Sequence, residues 1–447
     1  MMGKISSLFK NRFNWELDRK IVYLFVFAFL TRIVLSIVFF FTMDRSNSNY
    51  DGNLYYIIAK DIVHQGTIFY STDHPYKDVV GPVTPWLNAA TIYLLGDNWL
   101  GIFIVTSLIS SFMVVIVYKL ALLVFDKSTA LLAAIWMTIS PIYLYFIPTP
   151  GKDMLMAFFI ILIICLFSKC FVFNKLNLID FISLIFVVAL SIHNDERYFI
   201  LVPILFIFIF ITEYNSRERI KFKYSFLFLL LVILLMLPWT ARNYKKFGRL
   251  VIITTRTERI TDKILGNSPR ENTLDYAYTL DYYYIHPVQI DSVISGLKTR
   301  TDGGCEISIE QRKEMANGNL PHKHSALEAY FSRFKEMFSP VNFGGWSRGG
   351  YYYERRSLKH NIISLLFYGT MLLFSIPGFY LLYKKYKILF YLLISIVTIY
   401  SLIHIFTIPY TVWRYRLPLD SLFILTGAKG IIYFIQSRKT NLLKLKQ

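Results

Sequence analysis

The feature that most constrains this chain is a series of long apolar segments that recur along the whole sequence. About 20 consecutive apolar residues are enough to cross the roughly 30 Å hydrocarbon core of a bilayer as an α-helix. A helix satisfies its own backbone hydrogen bonds, which lipid cannot do. The sequence therefore predicts an all-α membrane protein with about ten transmembrane helices, near residues 21–42, 98–124, 128–147, 154–174, 177–193, 198–213, 224–240, 361–383, 387–408 and 418–436.

Composition and charge agree with this fold class. Of the 447 residues, 55% are hydrophobic and only 17% are charged, which lies outside the range of soluble domains. The net charge of +19 arises from basic residues at the ends of apolar segments, so we expect membrane lipids and no nucleic acid as partners. Cys165, Cys170 and Cys305 lack the spacing of metal ligands. We expect no cofactor and no structural metal site, while the involvement of a divalent ion stays open.

Basic residues also predict the orientation in the membrane. If the N-terminus is cytoplasmic, the basic N-terminal segment, the runs at 217–223 and 384–387 and the C-terminal tail all face the cytoplasm. The first apolar run is too long for a signal peptide and no small-residue cleavage site follows it, so we expect a retained first span. The expected location is the plasma (inner) membrane, as a multi-pass protein.

This orientation divides the chain into three parts. Residues 1–260 form a transmembrane core, which includes a first extracytoplasmic loop at 43–97 with a short amphipathic helix. Residues 261–360 form a large extracytoplasmic loop or lid that is rich in aromatic residues, and residues 361–447 form the C-terminal transmembrane helices.

Five polar groups lie at the outer ends of the predicted spans. Independent placement would put about half of them on the other face, so their agreement predicts one extracytoplasmic site. The groups are Asp51; Lys152 and Asp153; Asp195, Glu196 and Arg197; Arg242 and Asn243; and Arg414 and Arg416.

Each group also has a purely structural interpretation. Asp51 and Asp153 stand at the starts of helices, where a carboxylate caps free backbone amides. The arginines at the later positions could anchor at lipid headgroups. Asp195 and Glu196 could simply pair with Arg197. At the level of the sequence these alternatives stay open.

The motifs around these groups resemble those of the integral-membrane glycosyltransferases of the GT-C class. The family is that of the dolichyl-phosphate-mannose protein mannosyltransferases and the bacterial lipid A aminoarabinose transferases. The resemblance rests on four stretches, and it covers most of the chain through residue 260 and then only the last third of the remainder. The stretches are "YDGNLYYIIAK", "GPVTPWLNAATIYLLGDN", "PWTARNYKKFG" and "RYRLPL".

The resemblance implies a GT-C-like bundle with extracytoplasmic loop helices and an enzyme that moves a sugar from a polyprenyl-phosphate donor to an acceptor hydroxyl. The acceptor would be a glycan, a lipid or a protein. The family's acidic pair after the first span is Asp-Glu, whereas this chain has Asp51-Gly52, so one of the two acids is missing. The family often has an acid before the fourth span, and Asp153 matches it.

The chemistry of such a donor needs one base and no general acid, because the lipid phosphate leaves as an anion. We expect Asp51 to take the proton from the acceptor as it attacks the anomeric carbon, with inversion, and Asp153 to assist catalysis. The planar, permanently charged fork of arginine suits a phosphate. We expect the lipid phosphate or the sugar to be bound by Arg197, Arg242, Asn243, Arg414 and Arg416.

Two other functions are compatible with the sequence. A polymerase of lipid-linked oligosaccharides would work on the same face but use a pyrophosphate-linked donor. A flippase or transporter of lipid-linked sugars would need polar residues near the middle of the bilayer. The predicted spans are nearly free of charge, which disfavours this last function.

Overall fold

The computed structural model describes residues 19–42, 50–68, 80–149, 151–173, 176–215, 222–255, 330–331, 334–335, 337–340, 358–407 and 413–444. Within these ranges the chain is helical and contains no strand. The α-helices are α1 (Arg19–Thr42), α2 (Tyr50–Gln65), α3 (Val83–Leu95), α4 (Trp99–Val124), α5 (Lys127–Ile139), α6 (Pro141–Tyr145), α7 (Asp153–Phe167), α8 (Leu178–Asn194), α9 (Leu201–Asn215), α10 (Lys223–Phe247), α11 (Leu358–Ser364), α12 (Thr370–Lys385), α13 (Lys387–Thr407) and α14 (Leu417–Lys444).

The predicted all-α membrane fold is confirmed. In the described part of the chain, eight helices are long and apolar enough to cross a bilayer. Two of the ten predicted spans are shorter: 128–147 is the 13-residue helix α5 followed by the five-residue α6, and 177–193 is the 17-residue α8. At about 1.5 Å per residue, α5 reaches only about 20 Å. The ten predicted apolar segments therefore correspond to eight long and two shorter apolar helices.

The break between α5 and α6 explains why one apolar run became two helices. Pro141 begins α6 and has no backbone N–H to donate to the preceding turn. The carbonyls of Met137 and Thr138, at the end of α5, instead accept hydrogen bonds from the guanidinium of Arg32 at 3.2 and 3.4 Å. Arg32 is fully buried in α1 and also donates to Ser110 at 2.8 Å. A cation at the C-terminal end of a helix is stabilised by the helix dipole.

The first predicted outer loop packs on one end of the bundle. At Gly81 a Cβ atom would lie 2.1 Å from the carbonyl oxygen of His193, so the backbone before α3 lies directly against the end of α8. The hydroxyl of Thr84 then donates to the side-chain oxygen of Asn194 at 2.6 Å. These contacts place α3 at the end of the bundle where α8 ends.

A second set of contacts ties α2 to the start of α4. The carboxylate of Asp97 accepts a hydrogen bond from the hydroxyl of Tyr56. It also forms an ion pair with Nζ of Lys60 at 2.9 Å. The bond from Tyr56, together with that from Lys60, lowers the pKa of Asp97 below its usual value. These contacts tie α2 to the segment between α3 and α4.

The chain folds back after α10 at the same end of the bundle. Gly248 ends α10 with a φ of 66°, a left-handed conformation that suits glycine. The indole of Trp239 donates to the carbonyl of Ile253 at 2.9 Å, and its ring contacts Trp86 at 5.6 Å. The predicted lid at 261–360 lies outside the described residues except for its short pieces at 330–331, 334–335, 337–340 and 358–360.

Candidate functional site

A buried carboxylate between two cations forms the centre of the site. Asp195 follows α8 and is fully buried. One of its oxygens is 2.5 Å from Nζ of Lys152, which precedes α7. The guanidinium of Arg197 pairs with both oxygens, at 2.7 Å through Nε and 2.5 Å through Nη2. The local pairing of Asp195 with Arg197 that the sequence left open is therefore present.

The two cations determine the ionisation of Asp195. Burial disfavours the charged carboxylate, but the charges of Arg197 and Lys152 and their hydrogen bonds outweigh this effect. They hold the pKa of Asp195 well below its usual range. The cluster of Lys152, Asp195 and Arg197 thus carries two positive charges and one negative charge, a formal surplus of one positive charge.

Arg197 is held from three further sides. Its Nη1 lies 2.8 Å from Nε2 of His404, which is in the last turn of α13. Its Nη2 lies 3.9 Å from the sulfur of Met156 in α7. The ring of Tyr415 faces the guanidinium at 5.2 Å from the ring centroid. Four separate segments therefore determine where the Arg197 guanidinium lies.

Tyr415 brings a second predicted arginine to this cluster. The guanidinium carbon of Arg414 lies 5.1 Å from the centroid of the Tyr415 ring. The imidazole of His404 contacts the same ring at 5.0 Å. Arg414 is half-buried and shares the Tyr415 ring with Arg197 and His404.

Aromatic hydroxyls complete the buried surroundings. The hydroxyl of Tyr198 donates to the carbonyl of Met156 at 2.7 Å. Its ring makes an edge contact with Tyr400, whose hydroxyl is buried without a hydrogen-bond partner among the described residues. Tyr400 thus places a buried hydroxyl beside Tyr198 without a described hydrogen-bond partner, which is uncommon in folded proteins.

The predicted acids beside this cluster are placed as follows. Asp153 is in the first turn of α7, directly after Lys152, and is 8% exposed. Glu196 begins a short 3-10 helix directly after Asp195 and is 9% exposed. Both acids are therefore at the end of the bundle that holds the cluster.

Arg242 and Asn243 lie at the same end but contact other residues. The guanidinium of Arg242 stacks on Trp239 at 4.7 Å and donates to the side-chain oxygen of Asn243 at 2.8 Å. Asn243 is 1% exposed, and its amide donates to the carbonyls of Val251 and Ile253 at 3.0 Å each. Asn243 thereby holds the returning segment and orients Arg242.

A continuous series of contacts joins this pair to the central cluster. Trp239 touches Trp86 of α3, and Thr84 in the same helix bonds to Asn194. The amide of Asn194 in turn lies 3.4 Å from the carbonyl of Lys152.

Arg416 is directed away from the cluster. It is 1% exposed and pairs with Asp420 at 2.8 Å, one turn along α14. It also donates to the carbonyl of Met337 at 3.0 Å and lies over the ring of Tyr368. A phosphate would have to displace this pairing to reach Arg416.

The backbone of Asp51 is in the first turn of α2, and the side chain of Asp51 lies outside the described part of the structure. Among the side chains that are described, no three His, Cys, Asp or Glu residues gather into a group that could hold a metal ion.

Sequence reasoning placed Lys152 and Asp195 at the predicted site without assigning them a role, and it missed His404 and Tyr415. One available signal was a histidine within an otherwise apolar span, since polar residues inside the membrane are costly unless they have a purpose. No local signal shows the pairing of residues 197 and 404, which are 207 positions apart.

The chain is similar to known membrane glycosyltransferases in sequence and fold. Residues 73–241, which include Lys152, Asp195 and Arg197, match the family model described as dolichyl-phosphate-mannose-protein mannosyltransferase. No curated protein sequence matches the chain.

Three solved structures show the extent of the similarity in fold. The Archaeoglobus fulgidus oligosaccharyltransferase in its apo form has a TM-score of 0.55 at 15% identity, covering 96% of this chain and 52% of that chain. The oligosaccharyltransferase AglB of the same organism, in complex with an inhibitory peptide and a dolichol-phosphate, has a TM-score of 0.53 at 14% identity, covering 97% and 52%. ArnT from Cupriavidus metallidurans, bound to undecaprenyl phosphate, has a TM-score of 0.42 at 10% identity, covering 92% and 77%.

This chain spans about half the length of the archaeal oligosaccharyltransferases. At these identities the likeness concerns the fold. The resemblance to GT-C glycosyltransferases that the motifs predicted is therefore confirmed, by the family model over residues 73–241 and by the fold shared with the archaeal enzymes.

Proposed function

We propose that this chain is an integral-membrane glycosyltransferase that moves a sugar from a polyprenyl-phosphate donor to an acceptor hydroxyl at the extracytoplasmic face. The observation that carries this proposal is the position of the Lys152, Asp195 and Arg197 cluster within the segment that matches the mannosyltransferase family model. The dolichol-phosphate bound to AglB supports a lipid phosphate as the anionic ligand.

The charge of the cluster suits a phosphate. Within these three residues Asp195 balances only one of its two cations, and the remaining positive charge favours an anion at Lys152 and Arg197. Nζ of Lys152 has three N–H groups, and the Arg197 guanidinium has five, so both have donors beyond those directed to Asp195. Two further arginines would contact the phosphate or the sugar. Arg414 lies against the Tyr415 ring, and Arg242 stacks on Trp239.

For two of the residues predicted to bind substrate, Arg416 and Asn243, the contacts support a structural role instead. The pairing of Arg416 with Asp420 supports a role in holding the start of α14. The two backbone hydrogen bonds of Asn243 support a role in holding Arg242.

The proposed reaction is a displacement at the anomeric carbon. The acceptor oxygen attacks as Asp51 takes its proton, the bond from the sugar to the phosphate oxygen breaks, and the polyprenyl phosphate leaves as an anion. The position of Asp51 in the first turn of α2, on the loop segment that packs over the site end, supports this role. Asp153, beside Lys152, would orient a hydroxyl of the acceptor or the sugar.

The first test replaces the proposed base in a strain that lacks the native gene. We expect the deletion to accumulate a single sugar on a polyprenyl monophosphate, measured by mass spectrometry of the lipids. Asp51→Asn should leave this lipid uncleared and lower transfer by about 100-fold or more, since general bases contribute about that much. Insertion into the membrane should stay normal.

The matched control is Asp61→Asn, which removes an acid from the same helix. Full clearance of the lipid by Asp51→Asn would remove Asp51 from the mechanism. Accumulation of an oligosaccharide on a pyrophosphate would instead support a polymerase and overturn the proposed donor.

A transporter of lipid-linked sugars is less well supported. One buried charge, that of Arg32, lies inside α1. Its hydrogen bonds to Ser110 and to carbonyls at the end of α5 and in its own helix assign it to holding helices together.

A further inference from the structure

His404 is a fully buried histidine that the proposed reaction does not yet use. It lies on α13, in a segment that is apolar enough to span the membrane. Its two ring nitrogens contact different partners: Nδ1 lies 2.8 Å from the carbonyl oxygen of Tyr400, and Nε2 lies 2.8 Å from Nη1 of Arg197. This second contact joins α13 to the segment that begins α9.

These two partners determine where the proton of the imidazole is. A carbonyl oxygen can only accept, so Nδ1 must carry a hydrogen to bond with Tyr400. A guanidinium can only donate, so Nε2 must offer its lone pair to Arg197. His404 is therefore a neutral imidazole with a single tautomer. A second proton would place two positive groups in contact and remove the acceptor.

A neutral acceptor suits this position better than a second carboxylate. Asp195 already binds one edge of the Arg197 guanidinium through two hydrogen bonds. A carboxylate at position 404 would also orient Nη1, but it would cancel the surplus positive charge of the cluster. The imidazole fixes the direction of Arg197 and leaves that charge available for an anion.

We propose that His404 is a positioning residue, whose neutral Nε2 holds the Arg197 guanidinium in the direction in which it binds the phosphate of the donor. This inference rests on the proposed function, because it assigns Arg197 to the phosphate. It adds a requirement: an uncharged hydrogen-bond acceptor at the position of Nε2.

Two substitutions separate the two hydrogen bonds of His404. The side-chain oxygen of His404→Gln is as many bonds from the backbone as Nε2, so it can accept from Arg197 while the contact with Tyr400 is lost. The side chain of His404→Asn reaches only as far as Nδ1, so it can keep the bond to Tyr400 and loses the acceptor for Arg197. If His404 had only a structural role, His404→Gln would bind the donor phosphate no better than His404→Asn.

The experiment measures binding of undecaprenyl phosphate to the purified full chain in detergent, together with kcat and KM for transfer. We expect His404→Asn to weaken binding about tenfold or more, because hydrogen bonds to charged groups are the strong class. The loss should appear in the KM of the donor. The dissociation constant of His404→Gln for undecaprenyl phosphate should stay within about threefold of that of the native protein. The two variants should have similar midpoints of thermal unfolding.

His193→Asn is the matched control. His193 is also buried and makes the same bond to the carbonyl four residues earlier, at 2.8 Å from Ala189. The His193→Asn variant should bind undecaprenyl phosphate with a dissociation constant within about twofold of that of the native protein. If the native protein binds undecaprenyl phosphate and His404→Asn binds it equally well, the inference is overturned while the proposed function stands. The same holds if His404→Asn and His404→Gln bind it equally well. If native protein neither binds nor transfers, the proposed function fails and the inference with it.

Discussion

At the scale of the residue, one carboxylate shows how buried charges are held in this chain. Asp195 is fully buried, yet Lys152, Arg197 and the backbone N–H of Arg197 all direct donors at it. The desolvation of a buried ion pair is repaid only when such additional hydrogen bonds are made. Removing one member leaves the remaining charges uncompensated, so we expect single substitutions in this cluster to be destabilising.

The depressed pKa of Asp195 predicts how stability depends on pH. A carboxyl whose folded pKa is below its unfolded value, about 3.9, stabilises the fold above that value, and the stabilisation is lost as pH falls through the folded pKa. We expect Asp195→Asn to destabilise the protein by about 3–5 kcal/mol at pH 7, as for other broken buried pairs.

Thermal unfolding in detergent between pH 7 and 3 measures this difference. The gap between native and Asp195→Asn midpoints should be constant from pH 7 to about pH 5 and should narrow only below about pH 4. A gap that closes already between pH 7 and 5 would show that the two cations do not hold Asp195 ionised.

At the scale of the element, the site depends on how closely the first loop approaches α8. The carbonyl oxygens of His193 and Asn194, at the end of α8, would lie 2.1 and 2.9 Å from a Cβ at Gly81. The backbone cannot move away without separating Thr84 from Asn194, whose amide also contacts Lys152. The position of α3 over the site therefore depends on the absence of a side chain at residue 81.

Gly81→Ala tests this dependence. The added methyl must push α3 from the end of α8, because the atoms it meets belong to backbone. We expect transfer to fall at least tenfold while the protein still inserts and elutes as a folded species. Gly101→Ala in α4 is the control, since its nearest neighbour is a side-chain atom at 3.3 Å. Equal activities of the two variants would contradict the expectation.

At the scale of the whole molecule, the predicted site residues lie at one end of the bundle. Lys60 of α2 pairs with Asp97, just before the start of α4, whereas Lys385 donates to the carbonyl of Val124 at its end. The 26 residues of α4 separate these points by about 39 Å, enough to cross a bilayer. The two ends of the molecule therefore belong to opposite faces of the membrane, and the basic residues predict that the site end is outside.

Cysteine labelling tests this orientation. With the three native cysteines replaced by serine, Lys60→Cys should react with a membrane-impermeant maleimide on intact cells. Lys384→Cys, exposed at the other end, should react only after the membrane is opened. Labelling of Lys384→Cys alone on intact cells would invert the topology and place the site in the cytoplasm.

The helices of this chain follow mainly from local sequence. The length of each apolar run predicts a helix because helical hydrogen bonds and burial in lipid are satisfied within one segment. The same reasoning failed at 128–147, where Pro141 divides the run and Arg32 of a distant helix takes up the carbonyls that are left. The prediction that the five polar groups lie at one face depended only on where the spans end. Hydropathy alone can place those ends.

The sequence by itself determined the membrane class, most of the helices and the family resemblance, because these follow from apolar length, capping residues and short motifs. Only the tertiary structure decided which partners each buried arginine pairs with. Arg197 pairs with Asp195 and His404, whereas Arg416 is taken by Asp420 and Met337. The reason is physical: a buried charge is stabilised by whichever partners packing brings to it, and those partners come from helices far apart in the chain.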